Sequence, residues 1–177
     1  MEYVFNNRPS QNPLTILLSE FNMSVQHKGD EQLVAYASIT ALRLTKSNTA
    51  YQAIISIDGS NDIEVSNLLY HTDGKIEDRS RQYETFIRVL HFHLKEKSAT
   101  RFVAGCSWVK AIGAILAAIL FSIGISYGLD WMKLSFVDPF TMSLLFSALT
   151  LGFLIATFWP SLPKRYNPTE IPSQFIP

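Results

Sequence analysis

The distribution of apolar and polar positions divides this chain into three regions with different periodicities. From Leu14 to Tyr70 the apolar residues come in short runs broken by turn residues. Leu14 to Val25 is apolar-rich, and the polar run His27–Glu31 after it predicts a turn. Leu33 to Leu44 resumes with Val34, Tyr36, Ile39, Leu42 and Leu44 and ends at Lys46-Ser47-Asn48. In Tyr51 to Ile57, residues Tyr51, Ala53, Ile55 and Ile57 alternate onto one face of a strand. Asp58-Gly59-Ser60-Asn61 is a turn signal, since Gly and Asn accept the positive φ of tight connections. Ile63, Val65 and Leu69 continue on one face beyond it. Strands this closely spaced, without helices between them, predict antiparallel hairpins.

The period then changes. Tyr83, Phe86, Ile87, Leu90 and Leu94 recur at the spacing of one helical face, and Asp78 or Ser80 can cap the helix. The stripe predicts a helix lying across the sheet. Val89 and Phe92 fall off it and are candidates to meet a partner or the C-terminal segment.

The third region is apolar throughout. Ala111–Leu129 and Pro139–Trp159 carry no acidic or basic residue over 19 and 21 positions. As helices they would be roughly 28 and 31 Å long, close to the thickness of a bilayer core. They predict a two-span transmembrane hairpin. Lys95, Lys97, Arg101 and Lys110 precede the first run, Lys164 and Arg165 follow the second, and Lys133 lies between them with two aspartates. The positive-inside rule would then place both termini in the cytoplasm, and in a bacterial chain the spans in the inner membrane. Trp108, Trp131 and Trp159 sit near the expected span ends.

Composition adds limits. With 15 basic and 15 acidic residues there is no net field to attract nucleic acid. A single cysteine, Cys106, excludes an internal disulfide. The opening residues lack an apolar segment of signal-peptide length, so the N-terminal region is expected to stay on the side where it is made.

The order of short strands closed by one amphipathic helix forms a pattern. Val34–Leu44, Tyr51–Gly59, Asp62–Asn67 and Tyr83–Leu94 resemble the pleckstrin-homology-like domains of bacterial membrane proteins. The resemblance covers about half the chain and implies a binding or scaffolding domain without an active site. The first hairpin lacks the dense Lys/Arg cluster used by phosphoinositide-binding members, and no binding residue carries over. The expected architecture is α+β: a PH-like antiparallel domain with a C-terminal helix over 1–100, the transmembrane hairpin over 101–160, and a Pro-rich cytoplasmic tail over 161–177.

Candidate chemistry is sparse. His91 and His93 lie about 200° apart on a helix and cannot share a metal. Asp58, Ser60, Asp62 and Glu64 faintly resemble a calcium loop, but Ile63 and Leu69 stand where Gly and Glu are required. Cys106 is adjacent to an expected span, where palmitoylation is conceivable. There is no hydrolase, metalloprotease or P-loop motif. No catalytic residue, metal or cofactor is expected.

Small residues repeat every four positions at Ala114 and Ala118 and at Gly124 and Gly128 in the first run, and at Ser143 and Ser147 and at Ala148, Gly152 and Ala156 in the second. Such faces pack helices closely, either within the hairpin or against a partner subunit or second copy. The last 18 residues hold five of the eight prolines, which predicts extended polyproline II backbone. Their apolar end is expected to dock Phe175 and Ile176 back on the N-terminal domain, beside Val89 and Phe92. The reading that follows is a non-catalytic membrane-anchored adaptor or accessory subunit that binds a protein partner. The alternatives are a module responding to membrane lipids, with Lys95, Lys97, Arg101 and Lys110 on anionic headgroups, and an enzyme whose site is not recognised.

Overall fold

The computed structural model describes residues 1–7, 13–47, 50–71, 73–97, 99–131, 139–158 and 162–177. It divides into two compact units: Met1–Gly105 with Lys164–Pro177, and Cys106–Pro163.

The first unit begins with a four-stranded antiparallel meander: β1 (Glu2–Phe5), β2 (Leu14–Leu18), β3 (Asn22–His27) and β4 (Asp30–Ala35). The stretch expected as one apolar run, Leu14–Val25, is therefore two paired strands, with Leu18 opposite Met23. The polar interval at 27–31 does turn the chain. His27 pairs with Asp30, and Lys28 and Gly29 take φ of 53° and 94° between them. Two consecutive positive φ values match the right-handed twist of the flanking strands, and Gly29 adopts its value without strain.

A short 3₁₀ turn at Tyr36–Ser38 leads into a second meander of β5 (Ile39–Ser47), β6 (Ala50–Ile57) and β7 (Ile63–Ser66). The alternation in β6 is realised, with Ala53, Ile55 and Ile57 buried on one face. A small hairpin, β8 (Leu68–Tyr70) with β9 (Ile76–Asp78), precedes helix α1 (Ser80–Lys97). All five stripe residues of α1 are fully buried. They join both sheets in a single core, in which Tyr3 stacks on Phe86 at 4.9 Å.

The chain then does something no local pattern announces. β10 (Arg101–Ala104) runs parallel to β5, with Phe102 opposite Leu42. β11 (Lys164–Arg165) pairs antiparallel with β10, Ala104 opposite Lys164. The second sheet therefore has the order β11-β10-β5-β6-β7. The segment Cys106–Pro163 is an insertion between two paired strands.

That inserted unit holds α2 (Trp108–Trp131) and α3 (Pro139–Phe158). Pro139 occupies the first position of α3, where its missing N–H has no helical acceptor to lose. Among the described residues, no helix is long and apolar enough to cross a membrane. The expectation of a two-span transmembrane hairpin is corrected accordingly, and with it membrane localisation and the placement of the termini. A crossing requires about 20 consecutive apolar residues.

Candidate functional site

A part-buried polar pair in the first unit lies where α1, β10 and the C-terminal segment meet. Helical periodicity places His91 on the buried side of α1, and it is 2% exposed. Its Nδ1 is 2.7 Å from the Ile87 carbonyl, which can only accept, so Nδ1 carries the proton. Nε2 is then an acceptor, and the Tyr166 hydroxyl donates to it at 2.7 Å. Burial pushes the His91 pKa from 6.5 down to about 4, against the opposing pull of the Ile87 carbonyl. Burial also raises the Tyr166 phenol well above its ordinary range. Both groups are held neutral, as a hydrogen-bonded pair without a counter-charge requires.

Phe102 of β10 completes the cluster, its ring centroid 5.2 Å from His91 and 5.9 Å from Tyr166. The Tyr166 amide donates to the Phe102 carbonyl at 3.3 Å, extending the β10–β11 pairing by one residue. Beyond it the chain turns, the Asn167 side chain accepting the Thr169 amide and its carbonyl accepting the Glu170 amide. A 3₁₀ turn at Ser173–Phe175 then lies against β5. Phe175 and Ile176 are buried, and Ile171 packs on the same core. The tail is thus not continuous polyproline II. Strand pairing, an Asx turn and a 3₁₀ turn satisfy backbone groups that polyproline II would leave to water.

The other residues singled out from sequence are distributed as follows. Val89 is half-buried against the core, whereas Phe92 is 59% exposed. His93 stacks on Tyr36 at 5.1 Å. Lys95 and Arg101 are exposed; the side chains of Lys97 and Lys110 lie outside the described residues, as do Lys133 and Trp159. Gly124, Ala148, Gly152 and Ala156 are exposed and Gly128 is half-exposed. A methyl group added at Gly124, Gly128 or Gly152 would meet no atom within 4 Å beyond its chain neighbours and its own helix backbone. The groove between α2 and α3 is lined instead by Ala114, Ala118, Phe121, Phe146, Leu149 and Phe153.

A separate open cleft of about 580 Å³ lies between the β3–β4 and β6–β7 turns, with Asp30, Glu31, Asp62 and Glu64 on its walls. Its charge repels anionic ligands such as lipid headgroups. Among the described residues no set of three or more His, Cys, Asp or Glu is arranged to hold a metal.

The β10–β11 pairing and the His91–Tyr166 bond were beyond sequence reasoning. Their partners are separated by about 60 and 75 positions, with the apolar helices between them. The one available signal was the apolar finish of the tail, which pointed to Phe175 and Ile176 but not to Tyr166.

No protein-family model, curated protein or solved structure matches this chain.

Proposed function

We propose that the chain is a non-catalytic adaptor whose sheet unit, a PH-like binding domain, engages a protein partner. The observation that carries this reading is the way the unit holds an extended segment of its own chain. Lys164 and Arg165 add a strand to the edge formed by β10, and Tyr166, Ile171, Phe175 and Ile176 supply side-chain anchors further along. Strand addition with pockets for a few side chains is a general mode of peptide recognition, in which main-chain bonds supply affinity and the anchors specificity. The order of two antiparallel meanders followed by a helix supports the PH-like assignment. The exposed Phe92 ring of α1 offers further apolar surface on the same unit.

The test is purification of the tagged chain from its native cells in mild detergent, with mass spectrometry of whatever co-elutes through size exclusion. The adaptor reading expects a stoichiometric protein partner that is reduced by Phe92→Asp. Elution of the chain alone would overturn it.

A further inference from the structure

We infer that the groove formed by α1, β10 and β5 is an exchangeable peptide site, occupied at rest by the chain's own Lys164–Pro177. Its external ligand would be an extended segment of the same chemistry: a residue pair that adds to the β10 edge, a tyrosine for His91, and an aromatic-aliphatic pair near a proline-containing end. This rests on the adaptor reading and gives that reading a partner chemistry and a means of regulation.

Three observations carry the inference. The first is the shortness of the ladder. β11 pairs through Val103–Arg165 and Ala104–Lys164, with one further bond at Tyr166, whereas β5 and β6 pair over eight positions. The segment is held by a few anchors and can leave in one step, while the sheets beneath keep their own ladders. The second is that the rest of the core does not depend on it. β1 to β7 and α1 supply the five-residue helical stripe and the buried faces of both sheets, and of the tail residues only Phe175 is fully part of that cluster. The groove therefore persists when the tail departs. The third is tethering. The segment is joined to the rest of its unit only through the inserted unit Cys106–Pro163, so it acts as an intramolecular ligand whose high effective concentration excludes a free peptide.

His91 marks the occupied state. With Tyr166 in place its Nε2 accepts a hydrogen bond; with the tail away, Nε2 meets water and its pKa returns toward 6.5. The groups in contact with it are the Ile87 carbonyl of α1, the Phe102 ring of β10 and Tyr166 of the tail, none of them charged near neutrality. Protonation of the vacated histidine therefore favours release as pH falls below 6.5.

A fluorescent peptide of residues 164–177 tests the exchange. It is titrated by anisotropy against the full chain and against the full chain carrying Phe175→Asp and Ile176→Asp. If the resident tail is displaced in about 1% of molecules, the free peptide binds the substituted chain about 100-fold more tightly than the unsubstituted one. Equal binding to both, or to neither, overturns the inference. Amide hydrogen exchange on the unsubstituted chain gives a second reading that needs no variant. The amides of Tyr166 and Ile176 are expected to exchange at least tenfold faster than those of Leu44 and Ala53. Exchange of all four at one rate would mean the tail leaves only on global unfolding, and the site is not exchangeable. Failure of either measurement leaves the co-purification outcome untouched, so loss of this inference and loss of the adaptor reading are separable.

Discussion

At His91 two short hydrogen bonds select one tautomer and one charge state. The Ile87 carbonyl takes the Nδ1 proton and Tyr166 donates to Nε2, so a second proton on the ring would reverse the Tyr166 bond inside the core. Folded His91 has its pKa at about 4 and the unfolded chain near 6.5. Between these values the unfolded state binds more protons, so stability is fully present above pH 6.5 and falls as pH drops toward 4. The limiting loss is about 3 kcal/mol at 1.36 kcal/mol per pH unit. Chemical denaturation from pH 7 to pH 4 should show it, and His91→Gln should flatten that part of the profile. Tyr166→Phe removes the hydroxyl and leaves Nε2 buried without its donor. It should cost about 1–3 kcal/mol in the same experiment.

Asn67, 1% exposed, plays the corresponding role for the helix start. Its Oδ1 accepts the Tyr51 amide at 2.8 Å, and its Nδ2 donates to Asp78 and Ser80 at 3.2 and 3.0 Å. Asp78 in turn accepts the Ser80 amide at 2.9 Å, and its hydrogen bonds from Ser80 hold its carboxyl below the ordinary range. Asn67→Ala orphans the part-buried Tyr51 amide as well as the cap. A loss of about 1–3 kcal/mol in urea denaturation is expected, with Asn67→Asp intermediate because it keeps the acceptor.

At the scale of elements, legibility followed locality. The α1 stripe and the β6 alternation were readable because each lies within one segment and each side chain's fate depends on the period alone. The turn at Asp58–Asn61 was readable for the same reason, and Gly59 takes φ of 67°. β1 escaped notice because Glu2–Phe5 is four residues long and its partner is set by Tyr3 opposite Ile16, not by its own pattern. β10 and β11 escaped because their partners are distant in sequence: β10 lies parallel to β5 about 60 residues before it, and β11 pairs with β10 across the inserted helices. The apolar runs misled in another way. Hydropathy reports how apolar a stretch is, but a membrane crossing demands length and apolarity together, and among the described residues no helix meets both. The small-residue repeats likewise record spacing without saying which face is packed: of them, Ala114 and Ala118 line the inter-helix groove, whereas Gly124, Gly128 and Gly152 have open space beside them.

At the scale of the molecule, the sheet unit is closed by residues from both ends of the chain, and the helical unit is spliced between two paired strands. Side chains such as Leu120, Phe121, Leu149 and Phe153 are more than half exposed on that unit, and surface this apolar promotes association. A chain in which a short turn replaces Cys106–Pro163, joining Gly105 to Lys164, should therefore retain the sheet unit and lose the tendency to associate. Analytical ultracentrifugation without detergent would show a monomer if so.

The central claim is that the C-terminal segment occupies a groove on this unit and completes its second sheet. Comparing the thermal melting of that spliced chain with residues 1–105 alone tests it most directly. Phe175 and Ile176 each withdraw a large apolar side chain from water, worth about 1.5–3 kcal/mol before the cost of ordering the tail. The account predicts that the spliced chain unfolds cooperatively and melts at least about 5 °C higher, the shift for a net gain near 1 kcal/mol in a domain of this size. Equal melting temperatures would contradict it.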